Sequence, residues 1–121
     1  MIPVIIFPNQ KGGCGKTTCC REFSWFTASL GRKVCIIDAD PQGNLTKSLV
    51  SEGDITTGLY EALNNQPYEL MPVNGNLRLL AGDKRLAALE KRLVGEMDAF
   101  TRLKDLLADE LFTGFDYIFI D

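Results

Sequence analysis

The chain has 121 residues, 45% of them hydrophobic, and a formal net charge of −3. That is enough for one globular unit, and it carries no Lys/Arg cluster of the kind that grips a phosphate backbone. No apolar stretch reaches the length of a membrane span, and Met1-Ile2-Pro3 lacks the basic start of a secretory signal, so a soluble, cytoplasmic protein is expected.

The first element is the apolar run Val4-Ile5-Ile6-Phe7, read as a buried strand. Residues 9–18 follow as N-Q-K-G-G-C-G-K-T-T and lead into a helical pattern, the strand–loop–helix setting of a phosphate loop. Glycines at 12, 13 and 15 let several backbone N–H groups converge on one anion, because residues without Cβ reach φ > 0 and permit close approach. Lys16 supplies a point charge for β/γ-phosphates, and the Thr17 hydroxyl is placed to ligate Mg²⁺. The following helix adds its positive end to the same site. In the pattern G-x-x-x-x-G-K-[ST] the first glycine would stand at Gln10, and Lys11 is an added lysine inside the loop.

A helix is predicted over residues 16–30, with Cys19, Phe23, Phe26 and Leu30 as its apolar stripe and Gly31 as its cap. Trp25 and Phe26 read as core rather than as a base-stacking surface. Val34-Cys35-Ile36-Ile37 is a second buried strand, ending in Asp38-Ala39-Asp40-Pro41-Gln42-Gly43-Asn44. Ligand-binding residues of parallel sheets sit just past such carboxyl ends, where Asp38 and Asp40 could hold Mg²⁺ through waters or orient an attacking water. Short helices are predicted over 44–50 and 58–64, and a third strand over 77–81. An amphipathic helix from about Asp83 presents Leu86, Leu89 and Leu93, and Gly95 interrupts it. Asp98 then caps a helix with Leu103, Leu106, Leu107 and Leu111 in one stripe. Asp116-Tyr117-Ile118-Phe119-Ile120-Asp121 is a last strand closing on a carboxylate, as a Walker B strand does, so Asp121 is expected to bind Mg²⁺ through water.

About four apolar strands with intervening helices imply a doubly wound α/β fold of the P-loop type. It would have a parallel sheet covered on both faces and would form a single domain over residues 1–121. Cys14, Cys19, Cys20 and Cys35 include no C-x-x-C pair and the chain has no histidine, so Cys20 and Cys35 read as small buried hydrophobes. Cys14 lies in the phosphate loop, where a positive field would make a thiol sensitive to alkylation.

Lys11 with Gly12-Gly13-Cys14-Gly15-Lys16-Thr17-Thr18 matches the deviant Walker A pattern K-G-G-x-G-K-[ST]-[ST]. Together with D-A-D-P-Q-G-N at 38–44, it resembles the ParA/Soj group of plasmid and chromosome partition ATPases, relatives of the division-site ATPase MinD and of the nitrogenase iron protein. The adjoining Pro-Gln-Gly-Asn favours the partition group over a MinD-like cell-division ATPase. The resemblance implies that ATP and Mg²⁺ bind at residues 11–18 and that catalysis rests on Lys11, Lys16 and Asp40. Asp40 would position the water, Asp38 would lie in the outer shell of a metal held by Thr17 and Asp121, and Lys11 would reach across an ATP-dependent homodimer. It also implies nonspecific DNA binding and a centromere-binding partner protein, with further segments beyond Asp121 carrying the DNA surface and adenine recognition. The implied strand order is third, second, fourth, first, which leaves residues 4–7 as an apolar edge. A fragment truncated after the Walker B strand, or a chain whose edge another chain covers, is therefore expected. A non-catalytic nucleotide-binding fragment is the alternative.

Overall fold

The computed structural model describes residues 2–7, 14–93 and 98–121; Lys11, Gly12, Gly13 and Gly95 lie outside them. The elements in chain order are β1 (Val4–Ile6), α1 (Cys14–Ser29), β2 (Val34–Ile37), α2 (Asn44–Leu49) and α3 (Leu59–Leu63). They continue with β3 (Met71–Asn74), β4 (Leu77–Leu80), α4 (Arg85–Leu93), α5 (Asp98–Leu107) and β5 (Tyr117–Ile120). The sheet order is β1-β5-β2-β4-β3. β1, β5, β2 and β4 run parallel, with Ile36 opposite Phe119 on one side and Leu79 on the other. This parallel part has the order expected for the four strands predicted from sequence.

The strand pleat divides the core in two. On one face Cys35, Ile37, Ile118 and Ile120 meet Leu59 and Ala62 of α3, Leu86 and Leu89 of α4, Leu106 of α5 and Phe112. On the other, Val34, Ile36, Leu77, Leu79 and Phe119 meet Cys20 of α1 and Leu45 of α2. Each aliphatic side chain buried this way contributes about 1.5–3 kcal/mol, so β2, buried at every position, anchors both layers. Gly31 adopts φ +87° at the end of α1 and its N–H donates to the Ala28 carbonyl at 3.0 Å, the left-handed cap that a side chain would strain.

Three expectations need correction. Among the described residues the sheet has five strands rather than about four, because β3 pairs antiparallel with β4 through an Asn74-Gly75-Asn76 turn. Pro72 disguises this strand by removing an N–H, which only an edge position tolerates, and an irregularity in register falls between Pro72 and Asn74. The predicted stripe of α1 faces outward: Phe23, Phe26 and, just past the helix end, Leu30 are 55%, 61% and 64% exposed, Cys19 is exposed, and Trp25, read as core, is exposed as well. The helix instead packs on small residues, Cys20, Ser24 and Ala28, which let it approach the sheet closely. The Ser24 hydroxyl carries no penalty there, because it donates to the Cys20 carbonyl at 2.6 Å. Finally, Leu111 is exposed beyond the end of α5, whereas Leu103, Leu106 and Leu107 join the core.

Candidate functional site

The carboxyl ends of the parallel strands gather the polar residues, as an open α/β sheet dictates. At the end of β5, Asp121 continues the ladder: its N–H donates to the Ile37 carbonyl and its carbonyl accepts from the Ala39 N–H, both at 2.9 Å. Its side chain is fully buried. Two residues in the first turn of α1 reach it. The Thr17 hydroxyl donates to Oδ2 at 3.1 Å, and the Lys16 ammonium lies 3.2 Å from Oδ1. Oδ1 has this charge contact but no hydrogen-bond partner among the described residues. A buried oxygen left so is a ready metal or water-bridged ligand.

Asp38, at the end of β2, is buried and faces inward. Its Oδ2 accepts from both the Thr46 N–H at 3.0 Å and the Thr46 hydroxyl at 2.7 Å, and Oδ1 accepts from the Asp40 N–H at 3.2 Å. Burial pushes the Asp38 carboxyl above the usual carboxylate range, the bonds from Thr46 and Asp40 oppose that rise, and the Asp121 charge adds to it. Asp40 is half-buried and shapes a turn, its Oδ1 accepting from the Gln42 N–H and its carbonyl from the Gly43 N–H, each at 3.0 Å. Thus Lys16, Thr17 and Asp121 come together, with Asp38 and Asp40 on the adjoining loop.

Burial, reinforced by Asp121, pushes the Cys20 thiol up to about 12, and burial does the same to Cys35. Burial thus favours the protonated thiol in both at neutral pH. Of the expected binding residues, Lys11, Gly12 and Gly13 lie outside the described residues, Cys14 opens α1, and Thr18 is exposed on it. Among the described residues no group of three or more His, Cys, Asp or Glu could enclose a metal by itself. No described helix is long and apolar enough to cross a membrane. Sequence reasoning missed Thr46 and Gly82. Thr46 belongs to no motif, but Gly82 stands just past the carboxyl end of β4, where the rule that located Asp38 and Asp121 would have found it.

A family model described as an AAA domain matches residues 2–121. The chromosome-partitioning ATPase Soj of Thermus thermophilus is 37% identical over 119 residues, covering 97% of this chain and 44% of that protein. The chromosome partitioning protein ParA of Myxococcus xanthus is 37% identical over 123 residues, covering 98% and 43%. Among solved structures, cobyrinic acid a,c-diamide synthase from Mycobacterium smegmatis with a bound ATP analog and magnesium superposes with a TM-score of 0.87 at 31% identity. That match covers 100% of this chain and 51% of the synthase. The chain spans about half the length of the curated relatives it matches. A Lys–Thr–Asp site at the carboxyl ends of a parallel sheet, and similarity running through nearly every residue, place the chain in the AAA-domain family of P-loop ATPases, in its ParA/Soj group.

Proposed function

We propose that this chain binds Mg-ATP and hydrolyses it as the nucleotide-binding part of a partition ATPase acting in plasmid or chromosome segregation. The observation that carries the reading is the convergence of Lys16 and Thr17 on the buried Asp121 carboxylate, one oxygen of which accepts no hydrogen bond among the described residues. Thr17 and Asp121 are hard oxygen ligands, too few for a protein cage but suited to a Mg²⁺ that keeps waters and phosphate oxygens. Bound there, magnesium would neutralise charge on the phosphate oxygens. Lys16 would exchange its contact with Asp121 for the β/γ-phosphates, and the amides of residues 11–18 would cradle them. Asp38 would stay in the outer shell of the metal and Asp40 would orient the attacking water, chemistry that depends on positioning more than on bond-making by the protein.

Lys11 would act across an ATP-dependent homodimer, a role supported by its place in the deviant loop. A cytoplasmic setting, nonspecific DNA and a centromere-binding partner rest on the ParA/Soj relationship. The test is equilibrium binding of a fluorescent ATP analog with and without Mg²⁺, followed by turnover and light scattering. Lys16→Ala should weaken binding about tenfold or more. Lys11→Ala should keep much of the binding but lose dimerisation, and Asp40→Ala should dimerise yet hydrolyse slowly. Parent protein without Mg-dependent binding would overturn the proposal, and binding without turnover would remove the hydrolytic half of it.

A further inference from the structure

We infer that Thr46 is a positioning residue for nucleotide turnover, acting through Asp38 and through the loop that follows β4; this rests on the nucleotide-site reading above. Thr46 is 2% exposed, and its hydroxyl sits between two backbone loops. It accepts from the Gly82 N–H at 2.9 Å and donates to Asp38 Oδ2 at 2.7 Å. A hydroxyl has a single proton to give, so accepting from Gly82 leaves that proton aimed at the carboxylate. Valine has the shape of threonine but can do neither, whereas serine can do both.

The same loops touch where there are no side chains. A Cβ on Gly82 would lie 2.4 Å from the Asp38 carbonyl oxygen and 3.1 Å from that of Asp40. One on Gly43, itself at φ +64°, would lie 2.9 Å from the Gly82 carbonyl oxygen. Residues 38–43 are therefore backed by residues 81–83, with the Thr46 hydroxyl as the polar link. Without that hydroxyl the buried Asp38 keeps only N–H bonds, and the buried Gly82 N–H loses its acceptor. The turn carrying Asp40 then loses its fixed backing. Among the described residues the side chains of Lys16, Thr17 and Asp121 bond to one another and not to Thr46 or Gly82, and the Asp121 backbone meets this loop only at the Ala39 N–H, so binding and turnover should separate.

The experiment compares parent, Thr46→Val and Thr46→Ser protein by amide hydrogen exchange with no nucleotide added, by Mg-ATP affinity and by single-turnover hydrolysis. Thr46→Val is expected to speed exchange at Gly82 and to slow turnover by about 10- to 100-fold, with affinity within about threefold of the parent. Thr46→Ser is expected to restore both. Gly82→Ala, which drives the loops apart while keeping the Thr46 hydroxyl in the sequence, should show the same split. Unchanged exchange at Gly82, unchanged turnover, or equal losses of affinity and turnover in the valine and serine variants would overturn the assignment. Parent protein that binds Mg-ATP without turning it over overturns it too, while leaving the binding reading intact. Parent protein that does not bind overturns both.

Discussion

Lys16 and Asp121 hold each other at the base of α1, and their burial makes the pair energetically visible. The lysine side chain is 11% exposed and the carboxylate not at all, so neither has water to fall back on. Lys16→Ala leaves a buried carboxylate whose side chain, among the described residues, keeps the Thr17 hydroxyl alone, a loss of about 2–3 kcal/mol. Measured without nucleotide, the melting temperature should fall by roughly 10 °C. Lys16→Ala/Asp121→Asn should recover at least half of that loss, because the amide no longer requires a counter-charge. A double variant as unstable as the single one would show that the two charges are not coupled. Both residues were legible in the sequence, since a lysine behind a glycine-rich loop and a carboxylate after an apolar strand carry recognisable spacing. Thr46 was not: a hydroxyl becomes informative only once the fold brings Gly82 and Asp38 to either side of it.

Among the elements, the parallel strands were readable because burial on both faces writes a continuous apolar run, as in Val34-Cys35-Ile36-Ile37. β3 and the inner face of α1 were not, because Pro72 breaks strand propensity and small residues rather than large ones make the helix contact. The loop between β4 and α4 shows a third kind of hidden order. Asp83 accepts from the Arg85 N–H at 2.8 Å, and the Arg85 guanidinium reaches both Asp83 and Glu61 while lying 4.4 Å over the Tyr60 ring. The hydrogen bond from the Arg85 side chain holds the Asp83 carboxyl below the usual carboxylate range. A lowered folded-state value stabilises the fold above the unfolded value, about pH 4, and the benefit fades as pH falls through the folded value. Because Asp83 and Arg85 are partly solvated, up to about 1 kcal/mol is at stake. Asp83→Asn should therefore melt about 2–5 °C below the parent at pH 6, and the gap should close as the pH approaches 3. A gap that is constant across that range would remove the charge from the explanation.

For the molecule as a whole, the two edges of the sheet differ in a way that governs its behaviour in solution. β3 ends one side as a short strand carrying Pro72, a poor template for further pairing. β1 ends the other with Val4 39% and Ile6 55% exposed. Beside it, Phe23 of α1 lies 6.2 Å from the Phe7 ring, and Phe26 and Leu30 continue that exposed stripe along the helix. An apolar strand edge next to an exposed aromatic helix face is an association hazard whichever chain it meets. The 121-residue chain alone should scatter light increasingly with concentration. Ile6→Lys/Phe26→Glu should suppress that scattering by placing charge on both sides of the edge. Neither side chain belongs to the buried core, so the melting temperature should move by only a few degrees. If the parent chain stays monodisperse up to high concentration, or the doubly charged variant associates as strongly, β1 and α1 are not the surface through which copies meet.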